Sequence, residues 1–363
     1  MSRAAASGAN KVVVLGAGKI GASVAALLAA TGDYTVTLAD ADAAGLAARL
    51  PPGVHSLAID VADPFALRSL LSGHQVVVSA LPFFLDYHVA EAAKAEGVHY
   101  FDPTEDVATA RAIRVLAEGA DSVFVPQCGL APGFIAIAAM DLTERFDEIL
   151  DVRLRVGALP QFPDNALKYN LTWSTDGLIN EYCNPCEAVV DGRLMEVLPL
   201  EGLEEFSLDG ISYEAFSTSG GVGTLCETLG GRVRNLDYKT VRYPGHRDRI
   251  RMLARDLKLC ERRELFRDVI EHAVPVTRQD VVLVFVTVVG RKGGLLTQES
   301  WAKKIYGDGF EGGRSAIQKC TAAGICTMID LHRDGKLPAA GFVRQEQARL
   351  ADVLGNRFGR VFA

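Results

Sequence analysis

Gly16, Gly18 and Gly21 fall in the segment GAGKIG, directly after the apolar run VVVL and directly before the alanine-rich ASVAALLAA. The next apolar run, VTLAD, closes on an acid, Asp40. A strand, a glycine turn and a helix N-terminus present free backbone N–H groups to a phosphate, and an acid about 20 residues on is placed to accept the hydroxyls of a ribose. Gly16, Gly18, Lys19, Ile20, Gly21 and Asp40 are therefore candidate contacts of a dinucleotide. No arginine adjoins Asp40 to neutralise a 2′-phosphate, which favours NAD over NADP, although a distant Lys or Arg reaching the phosphate leaves NADP open.

Further along, polar side chains cluster after apolar runs. The loop SALPFF, with Ala80, Leu81 and Pro82, follows HQVVV at an edge where a nicotinamide ribose would pass. Asp60 ends another strand and is a candidate adenine-pocket residue or a plain turn cap. DPTED offers Asp106 or Glu105 for proton transfer or for holding an amine, against the alternative of an N-cap for the helix ATARAIRVL. Cys128, in QCGLAPGF, either faces a nicotinamide or is a buried inert thiol. Trp173, Asp176 and Glu181 lie in LTWSTDGLINEY and suit an aliphatic stem and an ammonium group. The turn Thr218, Ser219, Gly220 and Gly221, and Arg242 in VRYPGH, are two candidate binders of a carboxylate. His246 is a second candidate base.

These residues need a scaffold, and the hydropathy pattern supplies it. Continuous apolar strands alternate with helical runs through about Pro126, the pattern of a parallel sheet covered on both faces. Beyond it, ILDVRLRVGAL, ISYEAFSTS, LDYKTVRY and VVLVFVTVV predict a mixed or antiparallel sheet, with helices around 247–259 and 263–272. The fold class is α/β: a Rossmann domain over 1–126, a mixed-sheet substrate domain over 127–314, and C-terminal helices over 315–363 that return to the first domain. The longest apolar run, Val281 to Val289, is too short for a membrane helix, and the net charge of −7 gives no general attraction for nucleic acid or an anionic membrane. The opening residues lack the apolar core of a secretory leader, so the seven cysteines read as reduced thiols of a cytoplasmic protein. Cys183 and Cys186 form one CxxC with no second pair, so neither a metal site nor a disulfide is expected there.

Taken in order, GAGKIG, DPTED, CGLAPGF, LTWSTDGLINEYCNP, FSTSGGVGTL and RYPGH resemble the saccharopine dehydrogenase-like superfamily, in particular its lysine 6-dehydrogenase branch. The resemblance spans nearly the whole chain. It implies a homodimer, NAD in the first domain and a small amino-acid or amine substrate in the second. On this branch the ε-carbon of L-lysine loses a hydride, and the imine hydrolyses to 2-aminoadipate 6-semialdehyde, which cyclises to piperideine-6-carboxylate, with loss of ammonia. The resemblance casts Asp106 as the group that positions the amine or moves its proton, with His246 as the alternative base. It gives the α-carboxylate to Arg242 or the Ser219 to Gly221 turn. Members resembling saccharopine reductase or carboxynorspermidine synthase run related imine chemistry toward C–N bond formation, and another ω-amino acid is a further alternative. A noncatalytic dinucleotide-binding sensor would keep the glycine motif and close the second cleft.

Overall fold

The computed structural model describes residues 10–309 and 312–363, so the reading of the opening segment lies outside the described residues. Strands Asn10–Leu15 (β1), Tyr34–Asp40 (β2), His55–Ala58 (β3), Val76–Ser79 (β4), His99–Phe101 (β5) and Val123–Val125 (β6) form the first sheet. Helices Lys19–Ala29 (α1), Ala43–Arg49 (α2), Pro64–Leu71 (α3), Phe83–Glu96 (α4) and Val107–Leu116 (α5) connect them. Every pairing is parallel, in the order β3-β2-β1-β4-β5-β6. The run VVVL in β1 is wholly buried because helices cover both faces, which is why it does not alternate. Strand order reverses between β1 and β4, and the crevice at that switch point is where an open sheet of this kind takes its ligand.

Helix Phe134–Thr143 (α6) leads to the second sheet, built from Glu148–Pro160 (β7), then, after helix Thr175–Cys183 (α7), from Cys186–Val190 (β8), Arg193–Val197 (β9), Glu204–Leu208 (β10) and Ile211–Ser217 (β11). The short helix Leu225–Thr228 (α8) precedes Val233–Arg242 (β12); His246–Arg251 (α9) and Arg263–Ala273 (α10) precede the hairpin Asp280–Lys292 (β13) and Leu295–Tyr306 (β14). The main path is β10-β11-β12-β7-β13-β14, with β8 on β12 and β9 on β8; β12 runs parallel to β7 and the other pairs are antiparallel. The sheet is mixed, as its alternating segments predict.

The chain returns through Ala316–Arg333 (α11), which starts on a capping box of Ser315 and Gln318 and packs on α1. Tyr34 donates to Asp330 of this helix at 2.7 Å, and Arg357 binds the same carboxylate at 2.8 Å. The last segment is less helical than its residues suggest. Gly341–Phe342 (β15) joins β6 as a further parallel strand, and only Leu350–Gly355 (α12) is α-helical after it. One apolar cluster runs from Val12 on β1 through α6 and α11 to Val288 on β13, so both sheets share a core and the crevice between them has rigid walls.

The cysteine reading is corrected by the structure. Cys183, at the end of α7, is disulfide-bonded to Cys260, in the turn before α10, with Cα atoms 5.5 Å apart. The partner stands 77 residues away, outside the reach of any local spacing, so the reading of all seven cysteines as reduced thiols fails for this pair, while Cys186 is a buried free thiol.

Candidate functional site

The glycine turn is built as its spacing requires. Gly16 adopts φ +99°, and a Cβ there would sit 2.6 Å from the Ala80 carbonyl oxygen, so the β1 and β4 loops touch only because neither side chain intervenes. A Cβ on Gly21 would land on the Gly16 carbonyl, while one on Gly18 would meet nothing within 4 Å. Gly18 is the N-cap of α1 and no side chain caps it, which leaves a bare helix N-terminus facing open space. Asp40 ends β2 with one carboxylate oxygen accepting from Ala17 N at 2.6 Å and the other from Asp42 N at 2.9 Å, so it fixes the turn it borders. This cradle fits a dinucleotide. Asp60, in contrast, is exposed and accepts from Ala62 N at 2.9 Å, the turn-cap alternative.

A cavity of about 190 Å³ opens from this switch point toward the second sheet. Its walls take Ile20 from α1, Ala80, Leu81 and Pro82 after β4, Trp173 and Glu181 from the α7 region, and Arg242 at the end of β12. The second cleft is thus open, contrary to the sensor alternative. Thr104, Glu105, Tyr238 and Asp86 also line it. Trp173 and Glu105 both press on Gly177, where a side chain would clash with either, and the Glu105 backbone crosses Gly220 just as closely. Glu105 therefore reaches from the first sheet into the second domain through two gaps left by glycines.

Arg242 is 2% exposed. It pairs with Glu181 at 3.6 Å, lies 4.7 Å from the centre of the Tyr169 ring, and donates from Nε to Tyr182 Oη at 3.4 Å. Tyr182 contacts His246 Nε2 at 3.0 Å, and His246 Nδ1 contacts the Leu167 carbonyl at 2.8 Å. Since that carbonyl only accepts, Nδ1 carries the proton and Nε2 accepts from the tyrosine. Burial and the nearby Arg242 charge lower His246 to about 3, which keeps the imidazole neutral. Burial raises Glu105 to about 7, and burial likewise raises Glu181 despite the opposing pull of Arg242.

Several expected site residues stand elsewhere. Asp106 is the N-cap of α5, accepting from Thr109 N at 2.8 Å; its neighbour Glu105 faces the cavity instead. His246 is fully buried with both ring nitrogens occupied, and it serves Arg242 through Tyr182. Cys128 is fully buried, its thiol donates to the Asp102 carbonyl at 3.1 Å, and burial raises its pKa, so it lies behind the cavity wall as a protonated thiol. Asp176 points outward to Arg267 at 3.4 Å. The Thr218 to Gly221 turn does not line the cavity. Thr218 bonds Thr240 at 2.6 Å, Ser219 N donates to the Glu181 carbonyl at 3.1 Å, and Gly221 gives room to the Tyr238 ring, so the turn seats α7. Asp86 was missed, although a signal existed: it shares the buried stripe of α4 with Val89, Ala90 and Ala93 at helical spacing.

Comparison with known proteins names the scaffold. Residues 12–122 match the saccharopine dehydrogenase NADP binding domain, and residues 129–359 match the saccharopine dehydrogenase C-terminal domain. The chain belongs to the saccharopine dehydrogenase family. Within it, the chain is 28% identical over 195 residues to the NADP(+), L-glutamate-forming saccharopine dehydrogenase of Saccharomyces cerevisiae, covering 52% of this chain and 44% of that one. It is 25% identical over 197 residues to the mitochondrial alpha-aminoadipic semialdehyde synthase of Mus musculus, covering 52% and 21%. The chain thus spans less than half the length of these relatives. The apo structure of the S. cerevisiae L-Glu-forming saccharopine dehydrogenase superposes with a TM-score of 0.76 at 17% identity, over 93% of this chain and 94% of that one, which establishes a shared fold. The saccharopine dehydrogenase family is one of NAD(P)-dependent oxidoreductases, and this member has its NAD(P)-binding fold. Among the described residues no side-chain group is suited to a metal ion, and no helix is long and apolar enough to cross a membrane.

Proposed function

We propose that this chain is an NAD(P)-dependent oxidoreductase of the saccharopine dehydrogenase type, acting at the C–N bond of an amino-acid amine. The observation that carries the reading is the polar lining of the cavity: the carboxyls of Glu105 and Glu181 together with the guanidinium of Arg242, on otherwise largely apolar walls. Such a wall suits a molecule with a cationic nitrogen and a carboxylate. The bound dinucleotide supplies the hydride acceptor or donor for the carbon next to that nitrogen. Arg242, held flat by Tyr169 and Tyr182, takes the carboxylate. Glu105 takes the ammonium proton, and Ile20, Leu81, Leu130 and Trp173 keep bulk water from the reacting atoms.

Family membership and the named relatives support a secondary amine joining two amino-acid halves, in the saccharopine manner, over simple deamination. One observation favours the second reading, oxidative deamination of the lysine ε-amine with ammonia release. Arg242 is the single cationic side chain lining the cavity among the described residues, whereas a saccharopine-like substrate brings carboxylates at both ends. The test is dinucleotide reduction with purified protein on saccharopine, L-lysine, ornithine and diamines, with ammonia measured in parallel. Turnover on saccharopine without ammonia supports the first reading; lysine turnover with ammonia transfers the assignment to the second; no amine-dependent turnover refutes both. In either case kcat/KM should rise with pH through about 7, as Glu105 ionises and becomes able to accept a proton.

For the cofactor, Asp40 supports NAD although the family and the yeast relative are described by NADP. Fluorescence titration is expected to give NADH a Kd about tenfold or more below that of NADPH, or at least about 1.4 kcal/mol. Asp40→Asn should narrow the gap, and equal affinities in the unaltered protein would refute the assignment.

A further inference from the structure

Asp86 is an acid that the foregoing chemistry leaves without a task. It lies in the first turn of α4, is 1% exposed, and still forms part of the cavity wall. Ser79, at the end of β4, donates to its Oδ1 at 2.6 Å, which holds the carboxyl beside Ala80 to Pro82, at the sheet edge where the dinucleotide's reactive ring would run. The groups facing it from neighbouring elements are Ser79, Asp102 at the end of β5, and Thr104 and Glu105 in the next loop. None is cationic, and the cavity's guanidinium is engaged by Glu181. Asp102 and Tyr100 are themselves fully buried, and burial raises the pKa of both. Burial, reinforced by Asp102 and Glu105 and opposed by the Ser79 and Thr104 hydroxyls, raises the Asp86 pKa well above its ordinary value, which favours a carboxyl that keeps its proton at the cavity wall.

We propose that Asp86 is the acid–base group that protonates the departing nitrogen when the C–N bond breaks. This rests on the C–N oxidoreductase reading. Oxidation of the amine, for which a bound dinucleotide would supply the hydride acceptor, leaves the carbon and nitrogen joined by a C=N bond. Glu105 releases the ammonium proton to solvent through the cavity mouth; water then adds through oxygen to the carbon, and its proton passes to the regenerated Glu105 carboxylate. The nitrogen takes the proton of the Asp86 carboxyl as the C–N electron pair leaves on the amine. The hydroxyl proton then moves to the Asp86 carboxylate as the carbonyl forms, which restores the carboxyl. Reductive amination runs the same transfers backwards.

Asp86→Asn tests this, because asparagine keeps an oxygen for Ser79 while losing the exchangeable proton. With the amine that the unaltered protein turns over, kcat is expected to fall at least about 100-fold while the NADH Kd stays within about twofold. Asp86→Glu should recover part of the rate. Ser79→Ala removes a bond that favours the carboxylate, so the alkaline limb of the kcat profile should move to higher pH. Asp86→Asn with kcat within about threefold and an unchanged profile would overturn the assignment. Should that variant fail to fold or to bind NADH, an unmoved alkaline limb in Ser79→Ala overturns it instead. Absence of turnover in the unaltered protein on every amine overturns the functional reading together with this one, whereas an active protein indifferent to Asp86 overturns this one alone.

Discussion

Arg242→Leu is expected to lower kcat/KM by about 100- to 1,000-fold and to destabilise the fold by about 3–5 kcal/mol. The two losses have different origins. Arg242 is buried, and its departure strands the Glu181 carboxylate, 3.6 Å from the guanidinium, inside the protein. It also removes the cavity's cation, the group suited to a substrate carboxylate. The stability loss should depend on pH. Burial raises Glu181 to about 7 in the folded protein even with Arg242 pulling it down, so without the guanidinium its pKa rises further; above about pH 7 the unaltered protein has Glu181 ionised and loses no more stability, while the variant goes on losing it. Denaturation of the leucine variant should therefore show a smaller deficit at pH 5 than at pH 8. The double variant Arg242→Leu, Glu181→Leu should regain most of the stability and none of the activity, since the uncompensated charge is gone and the binding group is still missing. Arg242→Lys keeps a charge but loses the Nε donor to Tyr182 and the flat face over Tyr169, so its deficit should appear mainly in KM. A leucine variant that loses stability yet keeps kcat/KM would make Arg242 a structural group only.

The architecture was legible in the sequence because its signals are local. Uninterrupted VVVL and VVVS predict buried parallel strands, and GAGKIG predicts the turn between strand and helix; both form as read. The site was legible only in part, because residue type does not reveal which side of an element a side chain takes. In DPTED the acid that caps α5 and the acid that enters the cavity are adjacent, and the choice between Asp106 and Glu105 is made by gaps at Gly177 and Gly220, more than 70 residues on. His246 has the right chemistry for a base, yet a tyrosine 64 residues earlier and a backbone carbonyl 79 residues earlier occupy its nitrogens. The Cys183–Cys260 bond is hidden by the same distance in sequence. Asp86 differs, since an acid on an otherwise apolar stripe is a local anomaly that helical periodicity exposes.

The three glycines of GAGKIG separate fold from ligand, which makes them the sharpest test of the cofactor cradle. Gly18→Ala should leave the stability of the ligand-free protein within about 1 kcal/mol, because its φ of −69° suits any residue and the new methyl would meet nothing within 4 Å. That open space is the approach to the bare N-terminus of α1, so the same methyl should raise the NADH Kd by about 30- to 100-fold, or about 2–2.7 kcal/mol. Gly21→Ala reverses the pattern. Its methyl would collide with the Gly16 carbonyl and crowd Ala80, so α1 must shift from β1, with a stability loss of about 1–3 kcal/mol before any ligand is present. Thermal denaturation without ligand and fluorescence titration with NADH, run on both variants, check the pair. The cradle assignment predicts that Gly18→Ala is stable and does not bind. A Gly18→Ala protein that binds NADH as the unaltered chain does would mean that the dinucleotide does not approach the α1 N-terminus, and the functional reading built on that cradle would lose its support.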